Sequence, residues 1–162
     1  MTEQKDNPNT SSEEVTSIVT PLRLTYDYTP GTAASRYLRK VAQGELSGQR
    51  CPKCKKVYVP PRGSCPTCGV PTEEEITLEQ KGTITAFCIV NIPFMGQAVE
   101  VPYVNATVKL DGADIGFYHL IQEVAAEDVH IGMRVEPVWK PREEWGPTTE
   151  SIAYFRPIKD GV

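Results

Sequence analysis

From Gly82 onward the chain shows short apolar runs separated by turn residues, a pattern typical of β-strands. Five segments are rich in Val, Ile, Thr, Tyr and Phe: GTITAFCIVNI, AVEVPYVNATVKL, DIGFYHLIQEV, MRVEPVWK and SIAYFRPI. The Asp-Gly pair in residues 110–114 predicts a tight hairpin between the second and third segments. Residues 125–132 predict a helical turn before the fourth segment. This order matches a five-stranded OB-fold barrel, although a five-stranded sandwich or an SH3-like barrel fits the same pattern.

The segment TAASRYLRKVAQG, residues 32–44, has the apolar spacing of a helix. Its apolar side chains stand at i, i+3, i+4 and i+7 and form one stripe: Ala34, Tyr37, Leu38 and Val41. Thr32 is expected to cap the N-terminus, and Gly44 is expected to end the helix in the left-handed conformation. A helix of about three turns is not stable alone in water. The stripe must therefore pack on the rest of the chain or on a partner protein.

Before this helix no periodic pattern predicts a packed element. Residues 1–20 are polar and predict a disordered tail. PLRLTYDYTPG, residues 21–31, predicts an extended arm, because proline and glycine punctuate it at both ends. PTEEEITLEQ, residues 71–80, is interpreted as an acidic connector that leads into the strands.

Four of the five cysteines lie in the stretch CPKCKKVYVPPRGSCPTCG, residues 51–69. They form two Cys-x-x-Cys pairs, and two such turns joined by a short hairpin supply the four corners of a tetrahedron. The spacing predicts a rubredoxin-like zinc ribbon with the ligands Cys51, Cys54, Cys65 and Cys68. Because all four corners are thiolates, the zinc is expected to be structural and closed to substrate. Iron in a redox centre is the alternative that spacing leaves open.

The bulk composition is that of a globular protein in solution. The chain has 162 residues, 40% of them hydrophobic and 23% charged, with a net charge of −4. No stretch approaches the roughly 20 apolar residues that cross a bilayer, so no membrane partner is expected. No secretory signal is evident at the N-terminus. Paired cysteines without an export signal favour metal ligands over disulfides, and a cytoplasmic location is predicted.

The basic residues are unevenly distributed along the chain. Residues 31–66 carry eight basic residues against one acidic residue, a net charge of +7, whereas the rest of the chain is strongly acidic. One interpretation is a solvated helix together with lysines that offset the charge of the thiolates. The other is a surface for a phosphate-bearing ligand such as coenzyme A, or for a partner protein. The candidate contact residues are Arg50, Lys53, Lys55, Lys56 and Arg62.

The remaining residues offer little catalytic machinery. Cys88 lies among apolar neighbours in the first predicted strand, where a cysteine is usually an inert packing residue. It acts as a nucleophile only with a base beside it. His119 and His130 are the two histidines of the chain, and no hydrolase, dinucleotide or phosphate-loop motif is present. No residue is assigned a catalytic role.

Several of these motifs together resemble a known family. The helix that ends in GEL (44–46), the runs QRCPKC (49–54), VPPR (59–62) and CPTCG (65–69), and the GTI (82–84) that opens the barrel are similar to the zinc-ribbon/OB-fold proteins associated with thiolases and other acyl-CoA enzymes. The resemblance covers roughly residues 30–158. It implies a structural zinc on the four cysteines and a partner enzyme that holds the catalytic groups.

The resemblance favours a non-catalytic accessory subunit in a hetero-oligomer. The implied partners are thiolase-like or acyltransferase enzymes and lipid-transfer-protein-type aldolases, acting on aromatic, steroid or other CoA-linked acids. The alternative is a nucleic-acid-binding protein, which the acidic barrel half disfavours. An independent enzyme using Cys88 ranks last. The expected architecture is mainly β, with a tail and arm in residues 1–30, a helix plus zinc ribbon in 31–75 and an OB-fold domain in 76–162.

Overall fold

The computed structural model of the chain describes residues 15–20, 24–97 and 99–158. It contains one α-helix and eight strands: α1 Gly31–Val41, β1 Ser47–Arg50, β2 Val57–Tyr58, β3 Glu74–Thr77, β4 Gly82–Val90, β5 Tyr103–Leu110, β6 Phe117–Ile121, β7 Arg134–Trp139 and β8 Ile152–Pro157. Short 3-10 turns occupy Ala126–Asp128, Arg142–Glu144 and Thr149–Ser151. Within the described residues, no helix has the length and apolar character needed to cross a membrane.

The last five strands close into a barrel in the order β4-β5-β6-β8-β7. Numbered along the barrel, this order is 1-2-3-5-4, with antiparallel pairs except for one parallel contact between β6 and β8. The predicted mainly β architecture with a five-stranded barrel is therefore confirmed, and closure excludes the sandwich. The hairpin between β5 and β6 is also confirmed, since Gly112 takes a φ of +84° in its turn. Alternation along β5 buries Val104, Ala106 and Val108 inside the barrel.

A separate three-stranded sheet, in the order β2-β1-β3, forms the ribbon. The interpretation of residues 71–80 as a connector is wrong at its centre, because Glu74–Thr77 pairs with Ser47–Arg50 over four residues. Neither strand shows an apolar alternation, so the pattern along the chain gave no signal for them. Gln49 is nevertheless buried, and its side-chain oxygen accepts hydrogen bonds from the Gly63 N–H and the Thr72 hydroxyl.

The helix α1 packs on its own chain. Tyr37 and Val41 are buried in the same hydrophobic cluster as the barrel interior, with Leu38 against it. The predicted cap is wrong: the helix begins at Gly31 after Pro30, and no side chain caps it. Thr32 lies inside the first turn, because glycine with a φ of +76° starts the helix one residue earlier. The left-handed Gly44 is confirmed, with a φ of +82°.

The described part of the arm, residues 24–30, belongs to no helix or strand. Leu24, Tyr26 and Tyr28 are each more than 70% exposed. The predicted disordered tail falls largely on residues 1–14, which lie outside the described residues, as do residues 21–23 of the arm.

One backbone–backbone hydrogen bond, one hydrogen bond to a carboxylate and one apolar side chain join the ribbon to the barrel. The Asp114 carboxylate, in the β5–β6 turn, accepts a hydrogen bond from the Val57 N–H at 2.8 Å. The Asp114 N–H donates to the Val57 carbonyl at 3.0 Å. The next residue, Ile115, packs against the buried Cys51, Tyr58 and Cys65. Together with the shared core under β2, these contacts fix the ribbon to one end of the barrel.

Candidate metal centre and neighbouring surfaces

The four predicted metal ligands come together in the ribbon. The sulfur atoms of Cys51, Cys54, Cys65 and Cys68 all lie within 4.8 Å of one another. The Sγ atoms of Cys54 and Cys65 are 3.7 Å apart. A tetrahedron with Zn–S bonds of about 2.3 Å requires sulfur atoms separated by about 3.8 Å. The four cysteines therefore form the metal site of a zinc ribbon, and the donor set fits a structural Zn²⁺.

Two equivalent turns hold the sulfur atoms in place. In the first, the Lys55 N–H donates to the Cys51 carbonyl and the Cys51 N–H donates to the Lys56 carbonyl, at 3.0 and 2.9 Å. In the second, the Gly69 N–H donates to the Cys65 carbonyl and the Cys65 N–H donates to the Val70 carbonyl, at 2.9 and 2.8 Å. Each turn has a left-handed residue after its second cysteine. These residues are Lys55 and Gly69, both with a φ of +65°.

Tyr58 is a part of this centre that sequence reasoning missed. Its buried hydroxyl lies 3.3 Å from Sγ of Cys65 and lowers the pKa of that thiol to about 6. Burial, by contrast, raises the pKa of Cys68 to about 12, because the thiolate loses hydration, and contacts with the other cysteine sulfur atoms further favour the neutral thiol. Four thiolates can therefore coexist here only around a cation. The only sequence signal for Tyr58 was its place in the apolar hairpin strand.

The left-handed Lys55 leads to a stability prediction. A residue with a Cβ costs about 1–2 kcal/mol in this conformation, whereas glycine adopts it freely. Lys55→Gly is therefore expected to raise the free energy of unfolding by about 0.5–1 kcal/mol, after the greater entropy of the unfolded glycine chain is subtracted. Urea denaturation of the zinc-loaded protein measures the change. Lys56→Gly is the matched control and should destabilise the protein or leave it unchanged; equal gains in both variants would contradict the prediction.

The basic residues divide into paired and unpaired groups. Glu74 and Glu75, in β3, form ion pairs with Arg50 at 2.9 Å and with Arg36 and Lys40 at 3.3 and 3.2 Å. No ion pair within the described residues involves the remaining members of the basic segment, which are Arg39, Lys53, Lys55, Lys56 and Arg62. The three lysines of this group are exposed on the first metal-binding turn. Of the five candidate contact residues, Arg50 thus already has an acidic partner.

Cys88 and His119 lie on opposite sides of the barrel wall. The expectation that Cys88 is a packing residue of the core is wrong, because its side chain points outward from β4 and is exposed. It lines a groove of about 240 Å³ with Ala86, Phe87, Asn105, Thr107 and Tyr118. None of these residues is a histidine, lysine or carboxylate. The His119 ring is buried against Phe117 and Phe155, and this burial lowers its pKa. His130 is exposed in the segment before β7. Among the described residues that line this groove, none can act as a base for the Cys88 thiol.

Family models match both parts of this architecture. Residues 39–74 match the ChsH2 rubredoxin-like zinc ribbon domain, and residues 75–140 match the ChsH2 C-terminal OB-fold domain. A DUF35 domain-containing scaffold protein of Methanocaldococcus jannaschii is 40% identical over 71% of this chain and 83% of its own length. This chain belongs to the DUF35 family. The predicted resemblance is confirmed, and the OB-fold assignment excludes the SH3-like alternative.

Further relatives and solved structures extend the comparison. The scaffold protein of Methanothermobacter thermautotrophicus is 34% identical over 61% of this chain and 75% of its own length. A probable enoyl-CoA hydratase alpha subunit of Thermomonospora curvata is 31% identical, over 60% of this chain and 30% of the relative. Among solved structures, a chain of the Ltp2-ChsH2(DUF35) aldolase superposes with a TM-score of 0.61 and 25% identity, covering 81% of this chain and 98% of that one. A DUF35 protein of unknown function from Sulfolobus solfataricus shares the fold, with a TM-score of 0.59 and 17% identity over 78% and 84% of the two chains.

Proposed function

We propose that this DUF35 protein is a non-catalytic accessory subunit of an acyl-CoA-processing complex. Its partner is a thiolase-like, acyltransferase or lipid-transfer-protein-type aldolase subunit that degrades an aromatic, steroid or other CoA-linked acid. The observation that carries the proposal is the 40% identity to a scaffold protein over 83% of that protein's length. The likeness to a chain of an aldolase complex and to a hydratase subunit supports an acyl-CoA partner.

The chemistry of the described residues favours a non-catalytic role. The metal site is closed by four thiolates and leaves no position for water or substrate. The described residues that line the groove at Cys88 include no base, and the His119 ring packs against Phe155 in the barrel interior. The chain therefore depends on its partner for the nucleophile and the base. A tetrathiolate zinc site also requires reduced cysteines, which favours the cytoplasm.

The alternative function, nucleic-acid binding, predicts basic and aromatic residues on the outer face of the barrel. In an OB-fold this face belongs to the second and third barrel strands, here β5 and β6. Tyr103 and Tyr118 lie there, but the neighbouring Asn105, Thr107 and Leu120 carry no positive charge. Lys109 is the one lysine or arginine of these two strands, and a single cation is too few to neutralise a phosphate backbone. This shortage of positive charge favours the accessory-subunit proposal.

We further propose that the unpaired lysines of the first metal-binding turn contact the phosphates of the CoA ester. The side chains of Lys53, Lys55 and Lys56 are exposed and project from a backbone that the metal makes rigid. Charge-assisted pairs of this kind are stronger than neutral hydrogen bonds. Arg62 is exposed and also unpaired within the described residues, whereas Arg50 would first have to leave Glu74.

Co-purification with thiolase-like and aldolase-like subunits of the same organism tests the function. The expected result is a stable complex, and failure to pair with any of them alongside tight binding of single-stranded nucleic acid would reverse the proposal. In the complex, Lys55→Glu with Lys56→Glu is expected to weaken CoA-ester binding about tenfold or more, because two attractive contacts become repulsive. Isothermal titration measures the affinity. Lys109→Glu, an exposed lysine on β5, is the matched control, and unchanged affinity in the double variant would refute the phosphate contact.

A further inference from the structure

The outward side of β4, β5 and β6 includes three consecutive rows of uncharged cross-strand neighbours, which lie next to a row formed by Thr83 and the exposed Lys109. Residues directly opposite one another share a face, and the register places the following sets together: Ala86 with Thr107 and Tyr118, Cys88 with Asn105 and Leu120, and Val90 with Tyr103. The intervening residues of β5 are buried in the barrel interior. These eight side chains, called here the outer rows, therefore face away from the core.

The outer rows contain no charged residue, although 23% of the chain is charged. Solvated faces of antiparallel sheets normally carry polar and charged side chains. The centres of protein interfaces, by contrast, are depleted of charge and enriched in tyrosine. Tyr118 is 77% exposed, and the Ala86 and Cys88 side chains are also exposed. The composition of this face is that of an interface centre.

Asn105 occupies the middle of the outer rows, between Cys88 and Leu120. Its Oδ1 atom is shielded from solvent, and within the described residues no donor reaches it. A buried acceptor without a partner costs about 1–3 kcal/mol. Asn105 lines two open grooves, of about 240 and 500 Å³, that Tyr118 also lines. A rotation of the amide presents the oxygen to a donor that enters either groove.

The apolar surface continues past the ends of the strands. The loop between β4 and β5 follows directly from Val90 and leads back to Tyr103. Three of its large apolar side chains are exposed, Ile92 by 80%, Phe94 by 60% and Met95 by 100%. Large exposed apolar patches on a globular protein mark interaction sites. Apart from Glu100, which is exposed near the start of β5, the described loop residues and the outer rows form one continuous uncharged surface.

We propose that the outer rows and the β4–β5 loop are the surface that binds the acyl-CoA enzyme subunit. This inference rests on the proposed function and assigns its docking face. The outer rows favour an uncharged, apolar protein surface with an N–H donor for Asn105, since a charged group placed against them would lose hydration without gaining an ion pair; the charged Glu100 and Lys109 lie outside these rows. The lysines of the first metal-binding turn belong to neither the outer rows nor the loop, so they remain available for an anionic ligand.

Cys88 provides a native reporter for this surface. Its thiol is exposed in the free chain, and zinc protects the four ribbon cysteines from thiol reagents. Reaction with a bulky maleimide is therefore expected to modify one thiol per free chain and to slow at least tenfold in the purified complex. Cys88→Ser is the control for labelling at the ribbon. A complex in which Cys88 stays fully reactive overturns this inference and leaves the proposed function standing, whereas the absence of any complex overturns both.

A charged substitution gives an independent test. Tyr118→Glu places a carboxylate in the outer rows at a side chain that is already exposed, so the free chain should fold as before. We expect it to weaken the complex at least tenfold, measured by surface plasmon resonance. Ile131→Glu introduces the same charge at an exposed apolar residue outside the outer rows and should leave affinity unchanged. Equal losses of affinity in both variants would show that the docking surface lies elsewhere. Protection of Cys88 in a homodimer of the free chain would assign the outer rows to a second copy of this chain.

Discussion

Replacement of Cys65 by serine is expected to remove zinc from the protein and to unfold the ribbon. Three thiolates remain after the change, and the hydrogen bond from Tyr58 loses its sulfur acceptor. Structural zinc contributes about 10–16 kcal/mol to the folding of zinc-finger peptides. The loss should also reach the barrel, because Val57 and Val59 lie in the same hydrophobic cluster as Ile84 and Phe155. We expect a fall of several kcal/mol in the free energy of unfolding, the largest effect of any single substitution described.

Metal analysis and thermal unfolding together check this result. The wild-type protein should contain one metal ion per chain, and elemental analysis also decides between zinc and iron. Cys88→Ser is the matched control, because it removes a thiol that lies on the barrel and outside the metal site. It should keep the metal and the wild-type melting temperature. A Cys65→Ser protein with a full complement of zinc and unchanged stability would exclude the tetrathiolate centre.

Gly44→Ala is expected to destabilise the protein by about 2–5 kcal/mol. One part of the cost, about 1–2 kcal/mol, is the left-handed backbone at a φ of +82°. The other is steric: a Cβ on Gly44 would lie 2.4 Å from an atom of the Trp145 ring. That ring cannot move freely, since it stacks on Trp139 at 4.9 Å and donates a hydrogen bond to the Lys140 carbonyl. Forcing a packed side chain to shift typically costs a further 1–3 kcal/mol or so.

Gly96→Ala separates the two contributions. Gly96 has a φ of +90°, but a Cβ there would meet no atom within 4 Å. This control should therefore show the backbone cost alone, and the difference between the variants gives the cost of moving Trp145. Urea denaturation followed by tryptophan fluorescence reports both stability and the ring environment. If the two variants lose equal stability and Gly44→Ala leaves the spectrum unchanged, the contact between Gly44 and Trp145 is not rigid.

The parts of the fold that sequence reasoning predicted are those with a strong local signal. Two Cys-x-x-Cys turns define a metal site by spacing alone, and the apolar runs after Gly82 define five strands. The strands β1 and β3 were not predicted, because SGQR and EEIT lack an apolar alternation. They form because the ribbon supplies backbone partners and because the side-chain oxygen of buried Gln49 accepts hydrogen bonds from the Gly63 N–H and the Thr72 hydroxyl. Strand formation of this kind depends on tertiary context and not on residue propensity.

The metal centre and the surface chemistry were predictable to different degrees. Ligand identity followed from spacing, whereas the Tyr58 hydroxyl near Cys65 depends on how the hairpin folds back. The basic segment was visible as a net charge, but its division into paired and unpaired residues required the position of Glu74 and Glu75 in β3. The outer rows could not be predicted, since their lack of charge appears only when the register aligns three strands.

The hydrogen bonds between Asp114 and Val57 have a geometric consequence for any assembly. They hold one strand of the ribbon against the turn between β5 and β6, and Ile115 fills the space behind them. The lysines of the first metal-binding turn directly precede β2 in the sequence. The β6 residues of the outer rows directly follow the turn between β5 and β6. These contacts thus hold the outer rows and the lysines at a fixed distance from each other. An enzyme subunit that docks on the outer rows and shares a ligand with the lysines must match the distance between these two surfaces. In the proposed complex, this chain would therefore fix the position of an anionic ligand relative to the docked enzyme.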